Sequence, residues 1–251
     1  MRTLLFSLAA LVTFVQGTLK AVEPGKISDL VRGFEINQRP SIPRSTNSSR
    51  KMSKIIIRRI SPAVSANSFA AKPKTIYRVT NKYCRIEEPP DPERRVHNLY
   101  ITKEPDSWTI NLLDKTARHI LDPGPTFIAH IPIIWAPKPK GQPNPDKEFK
   151  DLEFGNEAQF FREHSAREIG MRSVGGRNCN AVFLKIGSRE VALLLESKTG
   201  KPYQIDVVKD GKLDFSVRYL FYETNLPFQK SLFELPKGVK IIEAKAKVYY
   251  N

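Results

Sequence analysis

Apolar and polar side chains alternate with a period of two over much of the chain from about residue 75 onward. Trp108, Ile110 and Leu112 alternate with Thr109 and Asn111, and Tyr203, Ile205 and Val207 alternate with Gln204 and Asp206. Leu213, Phe215, Val217, Tyr219 and Phe221 alternate with Asp214, Ser216, Arg218 and Tyr222, a run broken only at Leu220. Val191, Leu193 and Leu195 repeat the pattern with weaker contrast. Such spacing puts every second side chain on one face of a strand. It predicts strands near 75–80, 83–88, 97–103, 107–113, 116–121, 167–174, 179–187, 190–197, 202–209 and 213–223. The joints, among them Thr80-Asn81-Lys82, Gly175-Gly176-Arg177, Thr199-Gly200-Lys201 and Asp210-Gly211, are short and turn-prone. Parallel strands would need crossovers of about a dozen residues or more, so the links predict an antiparallel meander.

A sheet with one apolar face must cover it by curling, with a second sheet or with helices. Two segments suit that purpose. Thr126 to Trp135 is strongly apolar, although Pro132 breaks a helix and is costly in a central strand. Asn156 to His164 reads as a short helix with Asn156 at its N-cap. Residues 136–150, with four prolines, read as an exposed loop. Upstream, Ile27, Leu30, Val31 and Phe34 share one face of a short helix, residues 38–53 form a Pro/Ser/Arg-rich linker, and Ile55-Ile56-Ile57 is a β-prone run. Residues 1–17 carry Arg2, an apolar core from Leu4 to Val15 and a cut after Gly17, the signature of a secretory signal. The organisation expected is a signal peptide over 1–17, a basic arm over 18–53 and one domain over 54–251, placing the mature protein outside the cytoplasm.

Composition adds charge to this picture. At 40% hydrophobic residues the chain of 251 is too apolar to be disordered throughout, and 2 Cys cannot make a disulfide-dense scaffold. The net charge of +15 is uneven: residues 18–75 hold twelve Lys or Arg against three acids. A basic arm on a near-neutral body is attracted to an anionic membrane surface or to the acidic face of an envelope protein. Nucleic acid is not the expected target of an exported chain. The plainer alternative is a solvated basic tail.

Chemistry is sparse. Cys84 and Cys179 both fall in predicted strands, and in an oxidising compartment two cysteines of one domain are expected to pair, the alternative being two buried thiols. His97, His119, His130 and His164 are scattered without a metal-binding spacing, and no GxSxG, Walker or dinucleotide motif occurs. Carboxylates such as Glu87, Glu88, Asp106, Asp114, Glu153 and Glu157 are plentiful, but one sequence does not show that any two converge. The expectation is a monomer that is not an enzyme and uses no metal or cofactor. The aromatic and apolar set is more suggestive: Trp108, Ile110, Phe127, Ile131, Trp135, Phe160, Phe215, Tyr219 and Phe221 lie on apolar strand faces or in the covering segments. They either fill a solid core or line a cavity for acyl chains, where each buried methylene contributes about 0.8 kcal/mol.

The order of short motifs resembles the LolA/LolB-like half-barrel superfamily, which includes periplasmic lipoprotein carriers. Tyr83-Cys84-Arg85-Ile86-Glu87 is similar to an aromatic-R-apolar-E strand of that family, and Asp106-Ser107-Trp108-Thr109-Ile110-Asn111 to a Trp-bearing hairpin. Gly200-Lys201-Pro202 and then Ser231-Leu232-Phe233-Glu234-Leu235-Pro236-Lys237-Gly238-Val239 resemble its closing elements. Val79-Thr80-Asn81-Lys82 departs from the family's arginine-bearing position, so no residue role is carried over. The resemblance implies a mainly β (α+β) fold, a curved antiparallel half-barrel of about 10–11 strands with short helices over its concave face. It also implies a function: binding an apolar ligand such as lipid or lipoprotein acyl chains, with residues 126–135 and 156–163 as a lid. The alternative is a protein-interaction or envelope-sensing domain with a filled barrel.

Overall fold

The computed structural model describes residues 51–79, 82–121, 149, 152–186 and 189–243. Within them the alternating runs form strands where the pattern places them: β2 (Lys74–Val79), β3 (Tyr83–Glu87), β4 (Asn98–Lys103), β5 (Asp106–Asn111), β6 (Thr116–Leu121), β7 (Arg167–Val174), β8 (Arg177–Ile186), β9 (Arg189–Glu196), β10 (Pro202–Lys209) and β11 (Lys212–Pro227). Two more join them. β1 (Lys51–Ile60) extends the Ile55-Ile56-Ile57 run in both directions and takes in the last residues read as linker, and β12 (Lys240–Glu243) follows the C-terminal turn. The sheet therefore has twelve strands rather than ten or eleven. Among the described residues one α-helix, α1 (Glu157–Glu163), accompanies it where several short ones were expected, together with 3-10 turns such as Lys230–Phe233.

The order across the sheet is β12-β6-β5-β4-β3-β2-β1-β11-β10-β9-β8-β7. Every neighbouring pair is antiparallel except β12 with β6. The sheet is one open surface, consistent with a half-barrel. Two hairpin meanders, β2 to β6 and β7 to β10, meet at β1 and β11. The longest strand, β11, pairs with β10 over its first half and with β1 over Ser216–Pro227.

Directly paired residues share a face, so the register sorts side chains into two sets. On the helix face, Ile55, Ile57, Ile76, Leu193, Ile205, Phe215, Val217 and Tyr219 are buried against Phe149, Leu152, Phe154, Phe160 and Phe161. On the opposite face, Met52, Val79, Leu99, Ile101, Ile110 and Ala117 are buried under Phe233, with Phe228, Leu232, Leu235 and Val239 packed around it. The C-terminal strap is thus a second cover. Arg85 ties it down by donating from Nη1 to the Leu232 carbonyl at 2.8 Å. A small third cluster of Cys179, Ala181, Leu194 and Tyr203 lies on the same side as the strap, over β8 to β10. The sheet has apolar clusters on both faces, not one.

Irregular pairing explains why simple alternation misassigns some residues. Between the pairs Ile56–Phe221 and Ile57–Tyr219 an extra residue, Leu220, sits in β11. Between Val207–Phe215 and Val208–Leu213 the extra residue is Asp214, and between Pro202–Leu195 and Gln204–Leu194 it is Tyr203. Each such bulge shifts parity by one and kinks the strand. Leu213, Tyr203 and Phe221 consequently leave the helix face that the strict period of two assigns to them.

The two cysteines do not pair. Cys84 and Cys179 are both free and buried. β3 and β8 stand six strands apart in the sheet. Cys84 belongs to the helix-face core and Cys179 to the cluster on the other side. The span and the sheet itself keep the sulfurs apart, since a disulfide needs Cα atoms within about 7 Å.

Candidate functional site

The helix face carries a polar cluster inside its apolar layer, built where residues 153–157 cross the sheet. Arg78 occupies an inward position of β2, two residues after Ile76 and paired with Cys84. Its Nη1 donates to the Phe154 carbonyl, and its Nη2 donates to Glu153 Oε1 at 2.5 Å, both partners being buried. Gly155 follows with φ +87, a left-handed conformation that glycine adopts without strain. A Cβ there would stand 3.1 Å from Arg78 Nη1 and 3.6 Å from Ile55 Cδ1. The glycine therefore serves both the turn and the close approach of the loop to the guanidinium.

At the first residue of α1, Glu157 is 0% exposed. Its Oε1 accepts from the Gly155 N–H at 2.9 Å and from the Tyr219 hydroxyl at 2.8 Å, and its Oε2 accepts from the Tyr222 hydroxyl at 3.1 Å. Burial pushes the carboxyl above the ordinary range, opposed by these hydrogen bonds. Burial, and then the facing Glu157, push the Tyr219 and Tyr222 hydroxyls up, so both remain donors. Asn156 stands at the helix N-cap but makes no side-chain cap bond. The Cys84 thiol is pushed up to about 12 by burial, which makes it a poor nucleophile.

A shallow open groove lies between β10 and β11, lined from both faces of the sheet, by Tyr219 and Tyr222 of the helix face and by Tyr203 and Phe221 of the other. It forms where β10 leaves β11. The β10–β11 ladder ends at the pair Gln204–Arg218, next to the bulged Tyr203 and to Pro202, which has no N–H to donate. Arg177, Glu196, Lys201, Pro202, Tyr203, Leu220 and Phe221 contribute to its walls. The Tyr203 ring is approached by two guanidinium groups, Arg218 at 4.6 Å and Arg177 at 5.3 Å. Arg218 also donates to the Tyr203 hydroxyl at 2.9 Å, and Arg177 donates to Glu196 at 2.8 Å.

The residues expected to line a single cavity are divided. Phe160, Phe215 and Tyr219 come together in the helix-face core. Ile110 and Trp108 are on the opposite face under the strap, with Trp108 stacked on His119 at 5.3 Å. The bulge at Leu220 turns Phe221 outward, where it is 41% exposed beside Lys54. Phe127, Ile131 and Trp135 lie outside the described residues, as do the signal segment, the arm before Lys51 and most of the Pro-rich stretch. Where alternation selects only apolar residues, the structure adds Arg78, Glu153, Glu157 and Tyr222. The available signal for Arg78 is a charged residue in the inward register of Ile76.

No protein-family model and no curated protein matches the chain. Solved structures similar to it include an uncharacterized conserved protein from Thermus thermophilus, at 9% identity and a TM-score of 0.44, covering 78% of this chain and 92% of the other. A LolA superfamily protein from Nitrosomonas europaea is similar at 10% identity and a TM-score of 0.32, over 74% and 91% of the two chains. Pseudomonas aeruginosa MucB, solved with MucA, is similar at 10% identity and a TM-score of 0.37, over 73% of this chain and 55% of the other, little more than half of that longer structure. All three likenesses are distant.

Proposed function

We propose that this chain is an exported half-barrel domain of the bacterial envelope that works by binding other proteins and not by catalysis. One observation supports this reading above the others: the helix face is filled by the chain's own residues. Phe149, Leu152, Phe154, Phe160 and Phe161 are each at most 2% exposed and pack directly on Phe215, Tyr219 and the strands around them. A guest of acyl-chain size would have to displace them, at the cost of their own burial, about 1.5–3 kcal/mol for each large side chain. The groove at the end of the β10–β11 ladder is open and lined by charged as well as apolar groups, which suits a polypeptide surface better than a hydrocarbon chain.

A second reading, a carrier of lipid or lipoprotein acyl chains, draws support from a different feature. The filling residues 149 and 152–163 are close in sequence and are fastened by buried polar contacts through Arg78 and Glu157. On that reading the segment moves as one body and exchanges places with a ligand. Native-purified and delipidated protein distinguish the two. The protein-binding reading expects identical lipid extracts by mass spectrometry and no saturable binding of a fluorescent fatty acyl probe. Co-purifying lipid, and probe binding that increases when Arg78→Met loosens the cover, would replace it with the carrier reading.

A further inference from the structure

Past Arg218, β11 runs on for nine residues and, among the described residues, pairs with β1 on one side. Among the described residues, no strand and no backbone hydrogen bond occupies the other side of Tyr219–Leu226. An internal half-edge of this kind exposes alternate N–H and C=O groups to a new strand. The bulge at Leu220 places two neighbouring apolar side chains outward, Leu220 at 52% and Phe221 at 41% exposure. Bulges recur at sheet edges and barrel rims, where they re-aim a side chain or end the pairing. Around the groove stand Arg177, ion-paired with Glu196, and Lys201, with Arg218 held over Tyr203, while Glu223 of the half-edge itself lies opposite Lys54 in the β1–β11 ladder. Backbone edge, apolar pair and excess positive charge thus converge on one place.

We infer that this half-edge is the docking site for an extended, acidic segment of a partner polypeptide, which adds to β11 as a strand. Ladder hydrogen bonds to Tyr219–Leu226 hold its backbone. Its carboxylates face Arg177 and Lys201, and its aliphatic parts cover Leu220 and Phe221. The inference deepens the protein-binding reading and rests on it.

The test uses the full chain and a fluorescein-labelled nonapeptide of alternating glutamate and valine, followed by anisotropy at low salt. Saturable binding is expected, with new amide-exchange protection confined to Tyr219–Leu226. Leu220→Asp with Lys201→Glu, both at exposed positions and checked for retained circular dichroism, should weaken binding roughly tenfold. The same peptide N-methylated throughout keeps its charges and loses its backbone donors, and it should bind at least as poorly. Equal affinity for the N-methylated peptide or for a lysine–valine control would overturn the inference, as would protection elsewhere or no binding. Stronger binding of anionic phosphatidylglycerol vesicles, abolished by the same two substitutions, would assign the groove to a membrane surface instead. Failure of the peptide with no acyl-probe binding removes the docking site alone. Failure of the peptide with saturable acyl-probe binding removes the protein-binding reading as well.

Discussion

Glu157 is a carboxyl group out of contact with solvent, held by two tyrosine hydroxyls and one backbone N–H. Because burial raises it, the folded protein keeps the proton to a higher pH than the unfolded chain does. The contribution of this group to stability is then fully present below the ordinary carboxylate range and is lost as pH climbs through the raised value. Glu157→Gln keeps an acceptor and a donor of the same shape and removes the ionisation. Its urea midpoint should rise relative to the parent between about pH 4 and about pH 8. Equal loss at both ends would mean that the anion itself is required. Gly155→Ala should cost about 1–3 kcal/mol in the same assay, from a left-handed φ and crowding of Arg78. These roles are faintly legible in the sequence. Arg78 shows as a charge in an inward register, but Glu157 looks like any helix-start carboxylate, because its partners lie 62 and 65 residues away.

The strands themselves were readable element by element, since alternation needs only local residues and one buried face per strand. Ten of the twelve stand where the pattern sets them. Alternation fails at the bulges, and of these only Leu220 announces itself, as the one break in the β11 run. The bulge turns Phe221 out and Tyr222 in, so that Tyr222 meets Glu157. Deleting Leu220 should convert the bulge into a regular ladder in which Tyr219 and Phe221, now neighbours, keep their pairing with Ile57 and Ile56, so that Phe221 stays outward and Tyr222 stays on Glu157. The expected change is less than about 1 kcal/mol by chemical denaturation, with an unchanged near-ultraviolet signal from Tyr222. A loss of about 3 kcal/mol or more would show that the kink of the bulge is itself needed where β11 passes from β10 to β1. β12 was missed for a different reason: its four residues pair in parallel with β6, and Ile241 and Ile242 are both exposed, leaving no alternation to detect.

At the scale of the whole molecule, the joint between the two meanders is β1 against β11, residues 51–60 against 216–227. A chain beginning after Ile60 lacks the strand that links β2 to β11. It should lose cooperative unfolding in a thermal melt followed by circular dichroism, whereas removal of residues before Lys51 should leave the transition in place. The sequence alone determined the period of two, the turns and hence an antiparallel, mainly β meander with α1 beside it, because these follow from neighbours along the chain. Only the tertiary structure decided that two covers serve two faces, that Trp108 and Phe215 never meet, that Cys84 and Cys179 stay apart, and that Glu157 finds its tyrosines. Each of those depends on which distant strands lie side by side and on the parity that bulges impose, and long-range pairing leaves no imprint on a local pattern.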